Sequence, residues 1–381
     1  MYTTLAPEER LILDLVLPGR EPASLPAGVD WNRMIETGRA NRLLPLLFIG
    51  LKTAELSEPL PAAPLDILRR AYLRNLSRSA RVLDALAPVA AELAADGVQA
   101  AFLRGNGLAQ DAYGDFAARP FADVDLLVAR HQVTRALNNL HEADFLPQTG
   151  AFPVAYFLRY HLHVPCVHQS TRLTVELHWA LEHPYMPHTV DYGYFLECVR
   201  EVEIGNAVLP RPRLEFDLIA NAVHALKHVD YLDPRDVAGA PADLLAGGGV
   251  LPFLDIAATL QRHGPSMDWN MVRTTADDWN VVRETGMALR IAAAIRPEST
   301  GGRERRFDTA RLSLSDRLPS LLTARRKEDG AVQRYDRRVR FRPGRIRQLP
   351  LYLFPPSSYL RRSYPLPGRF VPVAAIVHFV S

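Results

Sequence analysis

Apolar residues recur at three- and four-residue intervals over residues 7–17, 31–52 and 65–95, which predicts three amphipathic helices. Asp30 stands ready as N-cap of the second, and Asp96-Gly97 closes the third. Pro22, Pro26 and Gly28 put a loop between the first two. The period then shortens. Residues 98–103 and 121–128 read as strands around a short helix at 108–113, and residues 134–142 read as a further helix closed by the polar stretch 144–147. Beyond an aromatic segment at 156–160, residues 161–168 and 173–179 form two strand-like runs. Gln169-Ser170-Thr171-Arg172 joins them as a hairpin turn. From Leu214 the helical period returns over 216–232, 253–264 and 267–295, interrupted by an Ala/Gly-rich stretch at 239–249 that reads as a flexible loop or lid. The class is α+β, with a helical region at 1–95, a small mixed β-sheet core at 96–212, and a helical region with a basic tail at 213–381.

Composition narrows the field by exclusion. A chain of 381 residues with 48% hydrophobic and 23% charged residues buries a sizeable core and is an ordinary globular protein. Its net charge of +3 is too small to imply nucleic acid on its own. Cys166 and Cys198 are too few for a disulfide framework or a structural zinc site, so a reducing cytoplasm is expected. No run approaches the ~18 uninterrupted apolar residues of a membrane span, and the N-terminus lacks the basic start of a signal peptide.

Candidate chemistry concentrates in FLRGNGLAQDAYGDFAARPFADVDLLV, residues 102–128. On a strand, Asp123 and Asp125 project from one face while Val124 and Leu126 turn into packing. Two acids so close repel unless a cation neutralises them, which points to a divalent metal. The competing reading is a strand edge with two solvated acids.

A glycine turn after a strand, a helix, and Asp-hydrophobic-Asp on the next strand resembles the polymerase-β-like nucleotidyltransferase superfamily. Within it, the run above and the later Glu176-Leu177-His178-Trp179 resemble the bacterial uncharacterised nucleotidyltransferase family. The likeness runs from about residue 35 to the C-terminus and is densest between 100 and 180. Arg104 stands where that family usually has Lys, and Asn106 where the superfamily prefers Gly or Ser.

The resemblance implies a nucleotidyltransferase core in which Glu176 joins Asp123 and Asp125 as catalytic and metal-binding residues. The cofactor is then Mg²⁺, with Mn²⁺ as its substitute, and the substrate an NTP such as ATP. Glu176 would also accept the proton of the acceptor hydroxyl. Backbone N–H groups of Gly105, Asn106 and Gly107 would receive the β- and γ-phosphates, helped by Arg104, Arg119 and Lys227. For each of these cations an ordinary structural role competes, in Lys227 a salt bridge to Asp255. Lys227 belongs to a His-x-x-Lys-His run, 224–228, on one helical face. His178 is either a neighbour of the site or a core histidine. His161, His163, His168 and His178 follow strand alternation rather than a tetrahedral zinc spacing, so zinc is not expected.

The favoured activity is metal-dependent transfer of NMP from an NTP to a hydroxyl of a small molecule, peptide or protein, releasing pyrophosphate. Family members in biosynthetic clusters for modified peptides hint at a tailoring role. A catalytically weak, antitoxin-like binding protein on the same fold is one alternative. A tRNA-directed transferase is another, supported only by the arginine-rich stretch 303–347, whose interleaved acids argue for a structural arm instead. Nucleic acid and membrane are not expected partners.

Overall fold

The computed structural model describes residues 5–19, 22, 24–56, 61–150, 153–182, 188–227, 237 and 239–307. Residues 1–181 and 188–308 form one compact unit. A second unit comprises residues 182–187 and 309–381, of which only Glu182 is described. His228 and nearly all of the arginine-rich stretch therefore lie outside the described residues.

Four helices come first: α1 (Pro7–Val16), α2 (Trp31–Ala40), α3 (Leu44–Thr53) and α4 (Ala62–Ala95). Asp30 caps α2 as expected, accepting from the N–H groups of Asn32 and Arg33. The single helix expected over 31–52 is instead two. Pro45 lacks the N–H that a continuous helix needs, Arg42 turns to φ 60°, and the Asn41 amide binds the carbonyls of Thr37 and Leu245. Gly97, at φ 65°, ends α4 where the sequence places its stop.

The central unit runs β1 (Ala100–Leu103), α5 (Gly105–Tyr113), β2 (Val124–Val128), α6 (Val133–Glu142), β3 (Phe145–Pro147), α7 (Val154–Tyr160), β4 (His163–His168) and β5 (Thr174–His178). The five strands form one mixed sheet in the order β1-β2-β5-β4-β3. β2 pairs antiparallel with β1 and parallel with β5, which pairs antiparallel with β4. The residues read as a Gly-Asn-Gly turn are the first turn of α5, and the chain reverses one residue earlier, at Arg104. Strand two is shorter than expected, so Asp123 sits on the bend that leads into β2.

One face of the sheet packs Phe102, Val124, Leu126, Val128, Val175 and Leu177 against the apolar stripes of α4 and α6. Ala101, Leu103 and Leu127 face the other way and join the helical core. That core includes α8 (Tyr192–Glu197) and, after the hairpin β6 (Val199–Ile204) and β7 (Ala207–Pro212), the helices α9 (Leu214–Leu226), α10 (Ala240–Ala246), α11 (Leu251–His263), α12 (Trp269–Asp278) and α13 (Val282–Ile295). The stretch expected as a flexible loop at 239–249 thus contains a helix. Pro241 starts it, and Leu244 and Leu245 bury themselves against the core. No helix among the described residues is long and apolar enough to cross a membrane.

Candidate active site

Register decides which side chains meet. On the parallel pair β2 and β5, Asp125 lies opposite Glu176, and on β1 its partner is Leu103, the residue before Arg104. Residues in register on neighbouring strands share a face, so Asp125, Glu176 and His178 emerge together on the side away from α4. Across the hairpin, His163 of β4 lies opposite His178. Asp123 enters from the bend, whose backbone is held from α4. There Arg78 donates to the carbonyls of Phe121 and Ala122 and lies 4.8 Å over the Phe121 ring.

The three acids have unlike surroundings. Burial alone would raise Asp125, but Arg104 and His178 overcome it and hold this carboxyl well below the usual range. Arg104 grips it with both arms, Nη2 to Oδ1 at 2.8 Å and Nε to Oδ2 at 2.9 Å, and His178 Nε2 lies 2.9 Å from Oδ1. Burial likewise opposes ionisation of Glu176, but a hydrogen bond from His178 (3.3 Å) and the nearby His163 bring its pKa down. Asp123 has no comparable relief. Burial and then the charges of Asp125 and Glu176 push it up. His178 is raised, because its bonds to Asp125 and Glu176 outweigh burial, whereas burial and the neighbouring His178 press His163 down to about 4.

Next to the acids lies the start of α5. Arg104 (φ 45°, ψ −142°) and Gly105 (φ 56°) both have positive φ, a conformation that costs a non-glycine residue energy. The first intrahelical bond runs from Leu108 N–H to Arg104 C=O, so the amides of residues 105–107 have no partner within the helix. A side chain at Gly105 would meet only the Phe121 ring, at 4.0 Å, leaving room for an anion to approach. Gly107 has a different reason to be glycine. A Cβ there would stand 2.4 Å from Arg211, whose buried guanidinium supports the turn by donating to the carbonyls of Phe102 (2.8 Å) and Arg104 (3.3 Å).

The other expected phosphate contacts are placed as follows. The Asn106 side chain turns inward and donates to Phe116 C=O at 3.1 Å. Arg119 is buried in an ion pair with Asp255 of α11 (2.6 Å), which also accepts from Tyr113. Lys227 donates to Leu181 C=O at 2.7 Å. Among the histidines, His161 packs on Phe157 and His168 on Phe145, while His163 and His178 join the acids. Sequence reasoning missed Arg42 and Arg78, whose charges sense Asp123. Both lie on elements with no motif, one in the break between α2 and α3 and one on the long α4. It also missed Arg211, and it weighed His163 only within a set of four histidines, although the hairpin turn lies midway between it and His178.

The donor set suits a divalent cation. Carboxylates of Asp123, Asp125 and Glu176 lie toward one end of β2 and β5, and Asp123 is raised first by burial and then by the other two charges. Among the described residues, the group whose ligand atoms all lie within 4.8 Å of one another is His163, Glu176 and His178.

The sequence model of the family described as uncharacterised nucleotidyltransferase matches residues 27–297. No curated protein matches the chain. The match covers well over half of the chain, which therefore belongs to that family, and its general activity is nucleotidyl transfer.

Proposed function

From membership of that family, we propose that the chain transfers NMP from an NTP to an acceptor hydroxyl in a metal-dependent reaction that releases pyrophosphate. The observation that carries this reading is the meeting of Asp125 and Glu176, in register on adjacent parallel strands, with Asp123, beside a glycine-led helix start. Asp123, Asp125 and Glu176 would hold Mg²⁺ or Mn²⁺. When bound, such ions neutralise the triphosphate and the charge that develops on the entering and leaving oxygens.

The acceptor oxygen forms a bond to the α-phosphorus as the bond from that phosphorus to the pyrophosphate oxygen breaks. Glu176, already ionised and flanked by two histidines, accepts the hydroxyl proton. The free amides at the start of α5 receive phosphate oxygens, and Gly105 keeps that approach open. Arg104, now paired with Asp125, would be a guanidinium available to the triphosphate if the acids took up metal. Arg42 and Arg78 add positive charge on the Asp123 side. The acceptor is a hydroxyl of a small molecule, peptide or protein.

One observation favours a second reading. Both oxygens of Asp125 are engaged by Arg104, which suits a binding protein that no longer turns over. The test is to incubate the full chain with each of the four NTPs and Mg²⁺ or Mn²⁺, in the presence of cell extract. Nucleotide binding by calorimetry and pyrophosphate release are followed together. Binding and release are expected, with Asp123→Ala cutting release by at least about 10²-fold. Binding without release under every condition selects the second reading, and release unchanged in Asp123→Ala removes the first.

A further inference from the structure

We propose that His163 and His178 act with Glu176 as a mixed imidazole and carboxylate site for a divalent first-row transition ion, so that one cation position of this active site is not a magnesium position. The inference rests on the reading above only in that Glu176 is common to both.

Three observations carry it. The ligand atoms of the three residues, two from β5 and one from β4, all lie within 4.8 Å of one another. Glu176 turns one carboxylate oxygen to each ring, Oε1 to His163 Nε2 at 3.7 Å and Oε2 to His178 Nε2 at 3.3 Å, so an ion drawn to that carboxylate meets both imidazoles. His178 also has the second contact typical of a ligating histidine. Its Nδ1 lies 3.3 Å from Ala180 C=O, which leaves Nε2, now bonded to Asp125 Oδ1 at 2.9 Å and to Glu176 at 3.3 Å, as the nitrogen a cation would take in place of a proton.

The fold makes this site rigid. His178 is buried, its ring lies 4.7 Å from that of His163, and antiparallel pairing sets the two residues opposite each other. His163 keeps part of its side chain exposed and its Nδ1 has no hydrogen-bond partner, so Nε2, 3.7 Å from Glu176 Oε1, is the nitrogen it turns to the cluster. Asp125, held by Arg104, borders this position, its Oδ1 2.9 Å from His178 Nε2.

The donor types choose the ion. Magnesium prefers oxygen ligands and water, whereas imidazole nitrogen suits manganese, iron, cobalt and zinc increasingly well along the series. Two nitrogens and a carboxylate leave coordination positions open, which a substrate phosphate or the acceptor oxygen fills. The strand alternation that speaks against a zinc set within β4 is what carries His163 across from His178 on the neighbouring strand.

The test uses the full chain loaded with Mn²⁺ in the absence of nucleotide. Pulsed electron paramagnetic resonance should show ¹⁴N modulation from imidazole. His163→Gln, at the more exposed of the two positions, should weaken both that modulation and Mn²⁺ affinity by at least about tenfold, while leaving Mg²⁺ affinity within about twofold. His178→Gln is compared in the same way if circular dichroism shows it folded, and His163→Gln alone decides otherwise. Mn²⁺ bound without nitrogen coupling, or no Mn²⁺ bound, overturns the inference. If the protein still releases pyrophosphate in that case, the functional reading stands. Nitrogen coupling in a protein that releases none supports this site and overturns the transferase instead.

Discussion

Two clusters of buried charge lie on either side of the turn at Arg104, and they are balanced differently. Beneath α5, Arg211 binds Asp111 (3.0 Å) and Asp217 (2.6 Å), and Arg200 completes the set by donating to Asp111. Two guanidinium groups thus meet two carboxylates, with Arg211 fully buried. At the ends of β2 and β5, three carboxylates meet Arg104 and two histidines, of which burial keeps His163 neutral at ordinary pH. The first cluster matches its charges, although burial still raises Asp217 and leaves Arg211 Nε and Asp217 Oδ1 without hydrogen-bond partners. The second leaves Asp123 raised, first by burial and then by Asp125 and Glu176, with Arg104 only partly offsetting them. Balanced charge builds the frame, and surplus charge is what an incoming cation finds.

The largest effect should come from breaking the matched cluster. Arg211→Met leaves Asp217 buried without its cation and removes the donor to the carbonyls of Phe102 and Arg104. A loss of about 3–5 kcal/mol is expected, read as a shift in the urea midpoint with the slope retained. A loss below about 1 kcal/mol would mean that this network is not part of the frame.

At the open cluster, neighbouring acids should respond with opposite signs. The folded pKa of Asp125 lies below its unfolded value, so its contribution is present above about pH 3.9 and disappears as pH falls through the folded value. Asp125→Asn gives up two charge-assisted contacts at pH 7 and should lose about 2–3 kcal/mol. Asp123 has a raised folded pKa, so its ionised form opposes folding as pH rises through that value. Asp123→Asn should therefore raise the melting temperature at pH 7 while abolishing pyrophosphate release. Added Mn²⁺ should stabilise the wild type more than this variant. Melting temperatures that fall together in both variants would erase the distinction between held and surplus charge.

The sequence revealed the acids more readily than their inequality. Alternation placed Val124, Leu126, Val175 and Leu177 inward, and the turn at Gln169-Ser170-Thr171-Arg172 contained the hairpin register. The parallel pairing of β2 with β5 was different. No local signal ties two strands separated by two helices and two further strands, and that step followed from the resemblance. What holds Asp125 was hidden because Arg104 reaches it from a positive-φ turn that arginine seldom adopts. Arg211 was hidden because its burial depends on Asp111, a hundred residues upstream. The β6–β7 hairpin did have a local signal, Gly205-Asn206 between two strand-like runs, and it positions Arg211.

The smallest effects should come from the glycines on either side of Asn106, and they sharpen the contrast because each glycine answers to one cluster. Gly107 abuts Arg211, so Gly107→Ala pushes a methyl group into side-chain atoms that cannot withdraw without losing Asp111 and Asp217. Stability should fall by about 1–3 kcal/mol. Gly105 has space around it but sits at φ 56°, so Gly105→Ala should cost about 1 kcal/mol of backbone strain. Its methyl group also stands where phosphate would approach the free amides, so the binding defect should exceed the folding defect. Calorimetry with Mg²⁺ and NTP beside thermal melts separates the two. Gly107→Ala should lose stability first and affinity only as it unfolds, and Gly105→Ala should lose affinity while still folded. If both variants lose the two properties in the same proportion, the start of α5 is frame throughout, and the phosphates are held elsewhere.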